Sequence, residues 1–584
     1  MRKQMRWALL LVVILSLTFL RWAAARPFTF GSPLSQVFAG GLPSSRIVGS
    51  DVASPRVAAL LALPTRSLRR PRQYPAAGYT ADVVTYHYNV ARQGFTQFES
   101  VLTLSNVNSN TFGLVGFFAV DGKVDGQPLY LYSMPIGPSI HNVLYVVTEN
   151  DSVYAFDADH GQRLWKASAL LAGETPSDDF GCPLLTPTIG ITATPVIDRQ
   201  RGAIYIVAMT KDSSGNYHQR LHALDIANGA ELFGGPTEIV ATYPGTGDGS
   251  QNGQVIFDPK QYAERVGLLE DGGKIYLAFT SHCDYRPYTG WVMAYDGLTL
   301  KQTSVIDLTP NGYQGGIWMS GAGLAADSQG NIYLLNANGL FDTTLDGQGM
   351  PMYGDYGNAF IKISTIKIST SPQLTVADYF AMYDANQESD DDIDLGSGGA
   401  LVLPGLYDNN GQIHHLAVGA GKDGNIYVVN RDNMGKYNPN DDSAIYQELD
   451  GVLGLGIYGM PAYYNNTVYF GDQYSTLKAF SITNAQLSTS ATSQTTTTFI
   501  YPGTTPSVSA NQGSNAIVWA VENNDPAVLH AYDATNLANE LYNSNQAGER
   551  DQFGPGNKFI TPVIANGKVF VGTQTGVAEF GLLQ

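Results

Sequence analysis

The chain has 584 residues and a formal net charge of −18, from 33 basic and 51 acidic side chains. Residues 1–73 hold 11 of the basic residues and a single acid, Asp51, so the remainder carries 22 basic and 50 acidic residues. Because a phosphate backbone binds to cationic surfaces, a chain this acidic is not expected to have nucleic acid as its partner.

The N-terminal region predicts an exported protein. Three basic residues precede an apolar run at 7–20, which is shorter than the about 20 residues of a membrane-spanning helix. The alanines at 23–25 offer a cleavage site, so residues 1–25 are interpreted as a signal peptide, with an uncleaved anchor as the alternative. Residues 26–81 are rich in Pro, Ser and Arg and predict a disordered linker or pro-segment. We expect a secreted or periplasmic protein without an integral membrane domain.

From residue 82 onward the chain is built of repeats. The stretch NVLYVVTENDSVYAFDADHGQRLWK, at 142–166, predicts three short antiparallel strands, with Gly161 suited to a positive φ. Its pattern Ala-x-Asp-x-x-x-Gly-x-x-x-Trp begins at Ala155 and recurs from Ala223 with Phe in place of Trp. A second pattern combines Pro, apolar residues, a polar turn and an apolar strand; it occurs in TPVIDRQRGAIYIVA, MPAYYNNTVYFGD and TPVIANGKVFVGT.

These patterns divide the chain into eight units of similar size. The units are 126–166, 192–234, 264–306, 320–365, 398–437, 458–488, 504–543 and 560–582. Repeats of this length that end in strands indicate radial stacking of small sheets. The sequence therefore predicts one domain at 82–584, an all-β, eight-bladed β-propeller of four-stranded antiparallel blades. The last unit is short, so we expect 82–118 to close the ring by pairing with the final strands.

Two cysteines are present, Cys182 and Cys283. In an exported chain two cysteines most simply form a disulfide, which here would bridge the second and third blade regions; two free thiols are the alternative. No Cys-x-x-Cys-His sequence occurs, so covalently bound haem is not expected.

The Ala-x-Asp-x-x-x-Gly-x-x-x-Trp pattern resembles the docking motif of the pyrroloquinoline quinone propellers, in which the Trp packs between adjacent blades. The segment YHYNVARQGFTQFESVLTLSNVNSNTFGLV, with Arg92 followed by Asn106 and Val107, is also similar to that family. The resemblance covers most of the chain after the signal peptide. It implies a pyrroloquinoline quinone and a calcium ion at the ring axis, where a hard dication polarises a carbonyl and a carboxylate accepts the substrate proton.

The resemblance nominates three residues that bind the quinone. GGIWMSGAGLAADSQGNIYLLNANG resembles the family stretch whose Trp forms the floor of the cofactor site, which gives Trp318. AGKDGNIYVVNRDNMG is similar to the stretch whose Lys hydrogen-bonds the quinone oxygens, which gives Lys422. IGITATPV matches the cofactor-contacting Thr before Pro, which gives Thr192.

The same comparison nominates metal ligands and a base. Asn338, about twenty residues after Trp318, corresponds to the calcium-binding Asn, and Asp212 in KDSSG stands near the place of the acidic calcium ligand. DDDIDLGSGG occupies the place of the family's acidic stretch, which gives Asp394 as the base and Asp392 as second choice.

The sequence also departs from the family. Its members usually carry two adjacent cysteines followed by Asn-Arg; this chain has no adjacent cysteines, and the matching region reads TPSDDFGCPLLTP. An extra repeat, 264–306, stands between Thr192 and Trp318 and raises the expectation that the two halves of the inferred pocket do not face each other. That repeat contains SHCDYRPYTGW, whose polar and aromatic residues predict a candidate ligand loop for a sugar or small polar molecule; they are His282, Asp284, Arg286, Tyr288 and Trp291. The alternative is a loop fixed by Cys283 and packed by its aromatics.

Two functions follow as hypotheses. The first is a dehydrogenase that oxidises a small alcohol or sugar and passes electrons to an external acceptor. The second is a non-catalytic extracytoplasmic propeller that presents its loops to a protein partner or ligand. The matched residues favour the first, and the absence of Cys-Cys and Asn-Arg from the matching region favours the second.

Overall fold

The structure is a computed structural model that describes residues 81–178, 181–182, 187–365 and 373–584. The predicted signal peptide and almost all of the predicted linker lie outside the described residues. In the described part the strands form eight small sheets of four or five strands each, together with one separate hairpin. The predicted eight-bladed propeller is confirmed.

Two strands precede the blades: β1 (Phe95–Thr96) and β2 (Phe112–Ala119). The strands of the first four blades follow in chain order. Blade 1 contains β3 (Leu129–Ile136), β4 (Ser139–Val147), β5 (Ser152–Asp157) and β6 (Arg163–Ser168). Blade 2 contains β7 (Thr175–Pro176), β8 (Val196–Asp198), β9 (Ala203–Lys211), β10 (Tyr217–Asp225) and β11 (Thr237–Glu238), and is followed by the hairpin β12 (Thr242–Pro244) and β13 (Gln254–Ile256). Blade 3 contains β14 (Tyr262–Glu264), β15 (Leu269–Asp271), β16 (Lys274–Ser281), β17 (Trp291–Asp296) and β18 (Gln302–Asp307). Blade 4 contains β19 (Ala325–Ala326), β20 (Ile332–Leu335), β21 (Ala359–Ser364) and β22 (Thr375–Ala381).

The remaining blades complete the ring. Blade 5 contains β23 (Leu401–Tyr407), β24 (Ile413–Ala420), β25 (Ile426–Asn430) and β27 (Gln447–Leu449), while β26 (Lys436–Tyr437) adds to blade 4. Blade 6 contains β28 (Ala462–Tyr464), β29 (Thr467–Gly471), β30 (Ser475–Thr483), β31 (Gln486–Leu487) and β32 (Ser493–Phe499). Blade 7 contains β33 (Ser507–Asn511), β34 (Ser514–Glu522), β35 (Val528–Asp533) and β36 (Glu540–Asn543), and blade 8 contains β37 (Val563–Ala565), β38 (Lys568–Gly572) and β39 (Gly576–Leu582). The described helices are the short α1 (Ala385–Asp390) and four 3-10 turns, at His282–Asp284, Met319–Gly321, Leu395–Ser397 and Ser544–Asp551.

Three blades extend further along the chain than their repeats predict. Blades 4, 5 and 6 end at 381, 449 and 499, because their outer strands follow longer connections that lack the Ala-Asp-Gly-Trp turn. Two blades also gain a short parallel strand: β1 pairs with β33, and β26 pairs with β22.

The docking pattern acts between neighbouring blades, as predicted. Trp165 of blade 1 donates from Nε1 to the carbonyl oxygen of Ile226 in blade 2, at 3.1 Å. Gly229 of blade 2 has a φ of +70°, and a Cβ there would stand 2.8 Å from the Trp165 ring. A Tyr on the second strand of blade 1 supports the same contact, since Tyr145 donates to Ile226 O at 2.9 Å. The repeated glycine therefore makes room for the indole of the preceding blade.

The N-terminal segment closes the ring. β2 pairs antiparallel with β39, from Phe112 opposite Leu582 to Ala119 opposite Gly576, and so supplies the outer strand of blade 8. This confirms the predicted pairing of the two ends of the propeller.

Residues 83–94 also run along the first strands of the blades. Backbone oxygens of this segment accept hydrogen bonds from one backbone N–H group in each of six blades. In the order of blades 1, 2, 4, 5, 6 and 7, the donors are Tyr130, Ile197, Ala326, Val402, Tyr463 and Val508. Blade 8 is reached through the hydroxyl of Tyr88, which accepts from Ile564 N at 2.8 Å. The fully buried guanidinium of Arg92 donates to Leu268 O of blade 3 at 3.1 Å and to Leu324 O at 2.7 Å. This one segment therefore touches all eight blades.

No helix among the described residues has the length and apolar character required to cross a membrane.

Candidate functional site

A cavity of about 270 Å³ opens on one face of the ring. Its walls come from two repeated positions: the residues just before the first strand of a blade, such as Trp318 and Phe559, and those just after the second strand, such as Asn338 and Lys422. In an antiparallel hairpin the start of one strand and the end of the next lie at the same edge, so the repeats bring these positions together. The volume lies just below the range of about 300–1,000 Å³ that is typical of small-molecule sites.

Five of the predicted site residues line this cavity and contact one another. Lys422 Nζ lies 2.5 Å from Asp394 Oδ1 and 2.6 Å from Asp392 Oδ1. Trp318 Nε1 donates to Asp394 Oδ2 at 3.2 Å, and Asn338 Nδ2 donates to Asp392 Oδ1 at 2.7 Å. The side chain of Asp394 is 1% exposed and that of Asp392 71% exposed, so Asp394 is the buried member of the pair.

Burial and charge set the protonation of this group. Burial raises the pKa of Asp394, even though Lys422 acts in the opposite direction. Burial opposes the charge of Lys422, but Asp394 and Asp392 outweigh it and raise the pKa of the ammonium. Lys422 is therefore firmly cationic, while Asp394 is a carboxylate more basic than an exposed aspartate.

Aromatic rings form a second wall. The Trp318 ring lies edge-on to Tyr458 and to Phe559, each at a centroid distance of 6.2 Å, and Tyr458 contacts Tyr501 at 5.3 Å. Sequence reasoning missed Tyr458, Tyr501 and Phe559. A signal was present for two of them, since Tyr458 and Phe559 each stand three residues before the Pro of a blade signature.

Cys182 and Cys283 form a disulfide with a Cα–Cα distance of 5.7 Å, which confirms the predicted pairing. Both cysteines line the cavity, as do His282 and Asp284 of the candidate ligand loop. The extra repeat therefore lines the cavity together with Trp318, whereas Thr192, on the other side of that repeat in the sequence, does not. Blade 3, which contains that repeat, supplies one wall of the same cavity as Trp318.

Three members of the candidate ligand loop do not reach the cavity. Tyr288 is buried and donates to Asp284 Oδ1 at 2.9 Å, and Trp291 is fully buried against Phe257 and Tyr262. Arg286 is paired with Asp248 at 2.6 Å. Tyr288 and Trp291 thus pack the loop, in agreement with the alternative of a loop fixed by Cys283 and packed by its aromatics.

Thr192 and Asp212 also lie away from the cavity lining. Thr192 is buried and donates to Glu149 Oε2 at 2.9 Å. Asp212 stands in the turn after β9, where it accepts from the backbone of Ser214 and Asn216. The structure does not bring Asp212 together with Asn338, its predicted partner in metal binding.

The donor atoms in the cavity suit a hard cation in their chemistry. Asn338 Oδ1 is buried without a hydrogen-bond partner, and the carboxylates of Asp284, Asp392 and Asp394 line the same space. Amide and carboxylate oxygens are the ligands that Ca²⁺ prefers. Within the described residues no three His, Cys, Asp or Glu side chains converge into a metal site on their own. A cation here would need the Asn338 oxygen and atoms of a bound ligand.

No family model matches the chain, and no curated protein matches it. Solved structures do. A quinohemoprotein alcohol dehydrogenase from Comamonas testosteroni is similar at 13% identity and a TM-score of 0.55, over 86% of this chain and 80% of that one. The quinohemoprotein alcohol dehydrogenase ADHIIG from Pseudomonas putida HK5 is similar at 13% identity and a TM-score of 0.56, over 88% of this chain and 83% of that one. A europium-containing methanol dehydrogenase is similar at 12% identity and a TM-score of 0.55, over 86% of this chain and 99% of that one.

The chain shares the fold of these alcohol dehydrogenases. At such low identity the likeness concerns the fold alone, and the chemistry of the cavity is considered separately below.

Proposed function

We propose that this protein is a quinone-dependent oxidoreductase that binds pyrroloquinoline quinone and Ca²⁺ in the cavity and oxidises a small alcohol or sugar. The observation that carries the proposal is the contact between Asp394, Lys422 and Trp318 on the cavity wall. A buried carboxylate, a lysine and an indole face one space large enough for a small ligand. The shared fold of the alcohol dehydrogenases supports the same conclusion.

The residues present fit the two groups. Trp318 and Tyr458 offer flat surfaces for an aromatic ring system, and Lys422 offers a cation for its oxygens. Asn338 Oδ1, with the carboxylates beside it, would hold the calcium ion. When bound, the quinone supplies the capacity to accept two electrons, which no protein side chain here provides.

Asp394 is the proposed base. Oxidation of an alcohol removes the hydroxyl proton, and a carboxylate with a raised pKa takes up a proton more readily near neutral pH. Oδ1 is paired with Lys422 and Oδ2 accepts from Trp318, yet each carboxylate oxygen keeps a free lone pair. These contacts hold the carboxylate in one orientation, while burial limits its hydration.

The cellular setting belongs to the same proposal. We expect the protein to act outside the cytoplasm, in the secreted or periplasmic space, and to pass electrons to an external acceptor. The Cys182–Cys283 disulfide supports this setting, since such bonds persist in oxidising compartments.

The test is reconstitution. Addition of pyrroloquinoline quinone and excess Ca²⁺ should give the absorbance of a bound quinone, and the loaded protein should reduce an artificial dye with an alcohol or sugar. Asp394→Asn should lower turnover by about 10²-fold or more and keep the quinone bound, because it removes the base and retains the shape.

The matched control is Asp472→Asn. Asp472 is equally buried and is paired with Lys478 at 2.8 Å, but it does not line the cavity. It should leave turnover of the folded protein unchanged. Absence of quinone binding at micromolar concentration with Ca²⁺ in excess would contradict the proposal and favour the non-catalytic propeller.

A further inference from the structure

A second group of cations lines or borders the cavity, apart from the pair of Asp394 and Lys422. Arg265 is 7% exposed, and its Nη1 is buried without a hydrogen-bond partner. Its nearest carboxylate oxygen is Asp125 Oδ1, at 4.0 Å. Lys558 lines the same cavity and forms no ion pair with any described residue. Lys123 lies 3.3 Å from Asp125.

The surrounding acids do not balance these charges. Burial and the neighbouring Asp125 raise the pKa of Glu149 well above its ordinary value, and burial does the same for Glu264. Both carboxyls are therefore held toward the neutral form, whereas at Asp125 burial is outweighed by the charges of Lys123 and Arg265, which lower the pKa of its carboxyl. Burial and the charges of Lys123 and Arg265 lower the pKa of Lys558.

Lys123, Arg265 and Lys558 thus lie around a single carboxyl whose pKa is lowered, Asp125, in a protein whose net charge is −18. A buried charge such as that of Arg265 is costly unless an anion pairs with it. A bound anion would supply the missing partner for Arg265 Nη1 and for Lys558.

The aromatic wall defines the shape of that anion. The Arg265 guanidinium lies 5.1 Å from the Phe559 ring centroid, and Lys558 Nζ lies 5.9 Å from the rings of Phe559 and Tyr501. Phe559 in turn contacts Trp318. A flat ligand that packs against these rings would bring an acidic group on its edge next to Arg265 and Lys558. A guanidinium pairs with a carboxylate through two parallel hydrogen bonds.

We propose that Arg265 and Lys558 form a carboxylate-binding subsite, so that the cavity takes a planar ligand with an acidic edge. The inference extends the proposed function by naming the class of ligand. The carboxylate has two sources within that function: the acidic groups of the quinone, or an acidic substrate. The subsite itself requires no redox chemistry, so it can be tested without the quinone.

The first experiment uses benzene-1,2,4-tricarboxylate and the neutral 1,2,4-benzenetrimethanol as probes in isothermal titration calorimetry. The parent protein should bind the tricarboxylate and not the triol, with an affinity that falls as the salt concentration increases. Arg265→Gln and Lys558→Gln should each weaken binding by about tenfold or more, and Arg265→Lys by less.

Two controls separate binding from folding. Lys558 is partly exposed, so Lys558→Gln should keep the melting temperature of the parent protein. Lys211→Gln removes a surface ion pair with Asp178, neither of which lines the cavity, and should leave probe binding unchanged. Equal binding of the tricarboxylate by the parent and both Gln variants, or no binding by the parent, overturns the proposal.

The second experiment identifies the source of the carboxylate. Pyrroloquinoline quinone is compared with its trimethyl ester, and glycerate with glycerol as substrate of the loaded protein. If the Gln variants lose affinity for the free quinone but not for the ester, the subsite holds the cofactor. If they bind the quinone normally but show a raised KM for glycerate alone, the subsite holds an acidic substrate. If the tricarboxylate binds through Arg265 and Lys558 but the quinone does not, the subsite stands and the proposed function fails.

Discussion

Lys422 neutralises the buried carboxylate of Asp394 in the cavity wall. It is the one cation within contact distance of Asp394 among the described residues, and the Asp394 carboxylate is 1% exposed. A buried carboxylate that loses its cation keeps the full cost of its desolvation. Removal of one member of the pair should therefore destabilise the fold more than removal of both.

We expect Lys422→Met to lower the free energy of unfolding by about 3–5 kcal/mol at pH 7. The loss should shrink as the pH falls, since Asp394 then takes up a proton and no longer needs a cation. The double variant with Asp394→Asn should recover most of it. Urea unfolding at pH 7 and pH 5 measures these differences.

Lys478→Met is the matched control for this prediction. Its side chain is 12% exposed, against 14% for Lys422, and it pairs with the buried Asp472 in blade 6. It should destabilise the protein by a similar amount but leave ligand binding in the cavity unchanged. A Lys422→Met protein as stable as its parent would show that the pair adds nothing to the fold.

At the scale of the element, blade 7 contains an ion-paired histidine that links three strands. His530 on β35 lies with Nδ1 2.7 Å from Glu540 of β36 and with Nε2 3.4 Å from Glu522 of β34. Burial alone would lower the pKa of His530, but hydrogen bonds and charges of Glu522 and Glu540 outweigh it and raise the pKa. The two glutamates thus favour the protonated form of the imidazole, which links the three outer strands of this blade.

This histidine predicts a pH dependence of stability. Because its pKa is raised on folding, its contribution is complete below the ordinary value of about 6.5 and is lost as the pH rises through the folded value. The parent protein should therefore lose stability above pH 6.5 relative to His530→Asn. Unfolding free energies between pH 5.5 and 9 measure the difference.

Thr535→Ala serves as the control, since Thr535 is an exposed turn residue of the same blade and has no group that titrates in this range. Its profile should run parallel to that of the parent. A constant difference between the parent and His530→Asn across this range would mean that the imidazole is not charged in the folded protein.

At the scale of the whole molecule, the disulfide joins two distant parts of the chain. Cys182 and Cys283 are 101 residues apart in sequence. In the chain-entropy model a loop of that length stabilises the fold by about 4–5 kcal/mol. Both cysteines also line the cavity, so the bond fixes part of its wall.

Reduction should therefore lower both stability and ligand affinity. We expect the Cys182→Ser/Cys283→Ser double variant to unfold at a lower urea concentration than the oxidised parent, and dithiothreitol to affect the parent alone. Two thiols that react quantitatively in denatured, non-reduced protein would contradict the bond.

The sequence predicts the ring and its closure because each blade repeats the same pattern. It also brings Trp318, Asn338, Asp394 and Lys422 to one face, since they occupy equivalent ends of strands. The pattern defines the face but not the distance from the ring axis, and the family resemblance assigns Thr192 and Asp212 to the site although both lie outside its lining. Arg265 and Lys558 were missed because their significance depends on unpaired charge, which is a property of the folded neighbourhood.

The pairing of β2 with β39 has a consequence for synthesis. Phe112 of β2 lies opposite Leu582 of β39, so β2 gains its partner only after almost all of the described chain has been synthesised. A product that ends before β39 keeps open edges on β2 and β38, the kind of surface that pairs with other chains. Such a product also lacks the stability that protects a protein from proteases. Ring closure thus distinguishes complete chains from truncated ones.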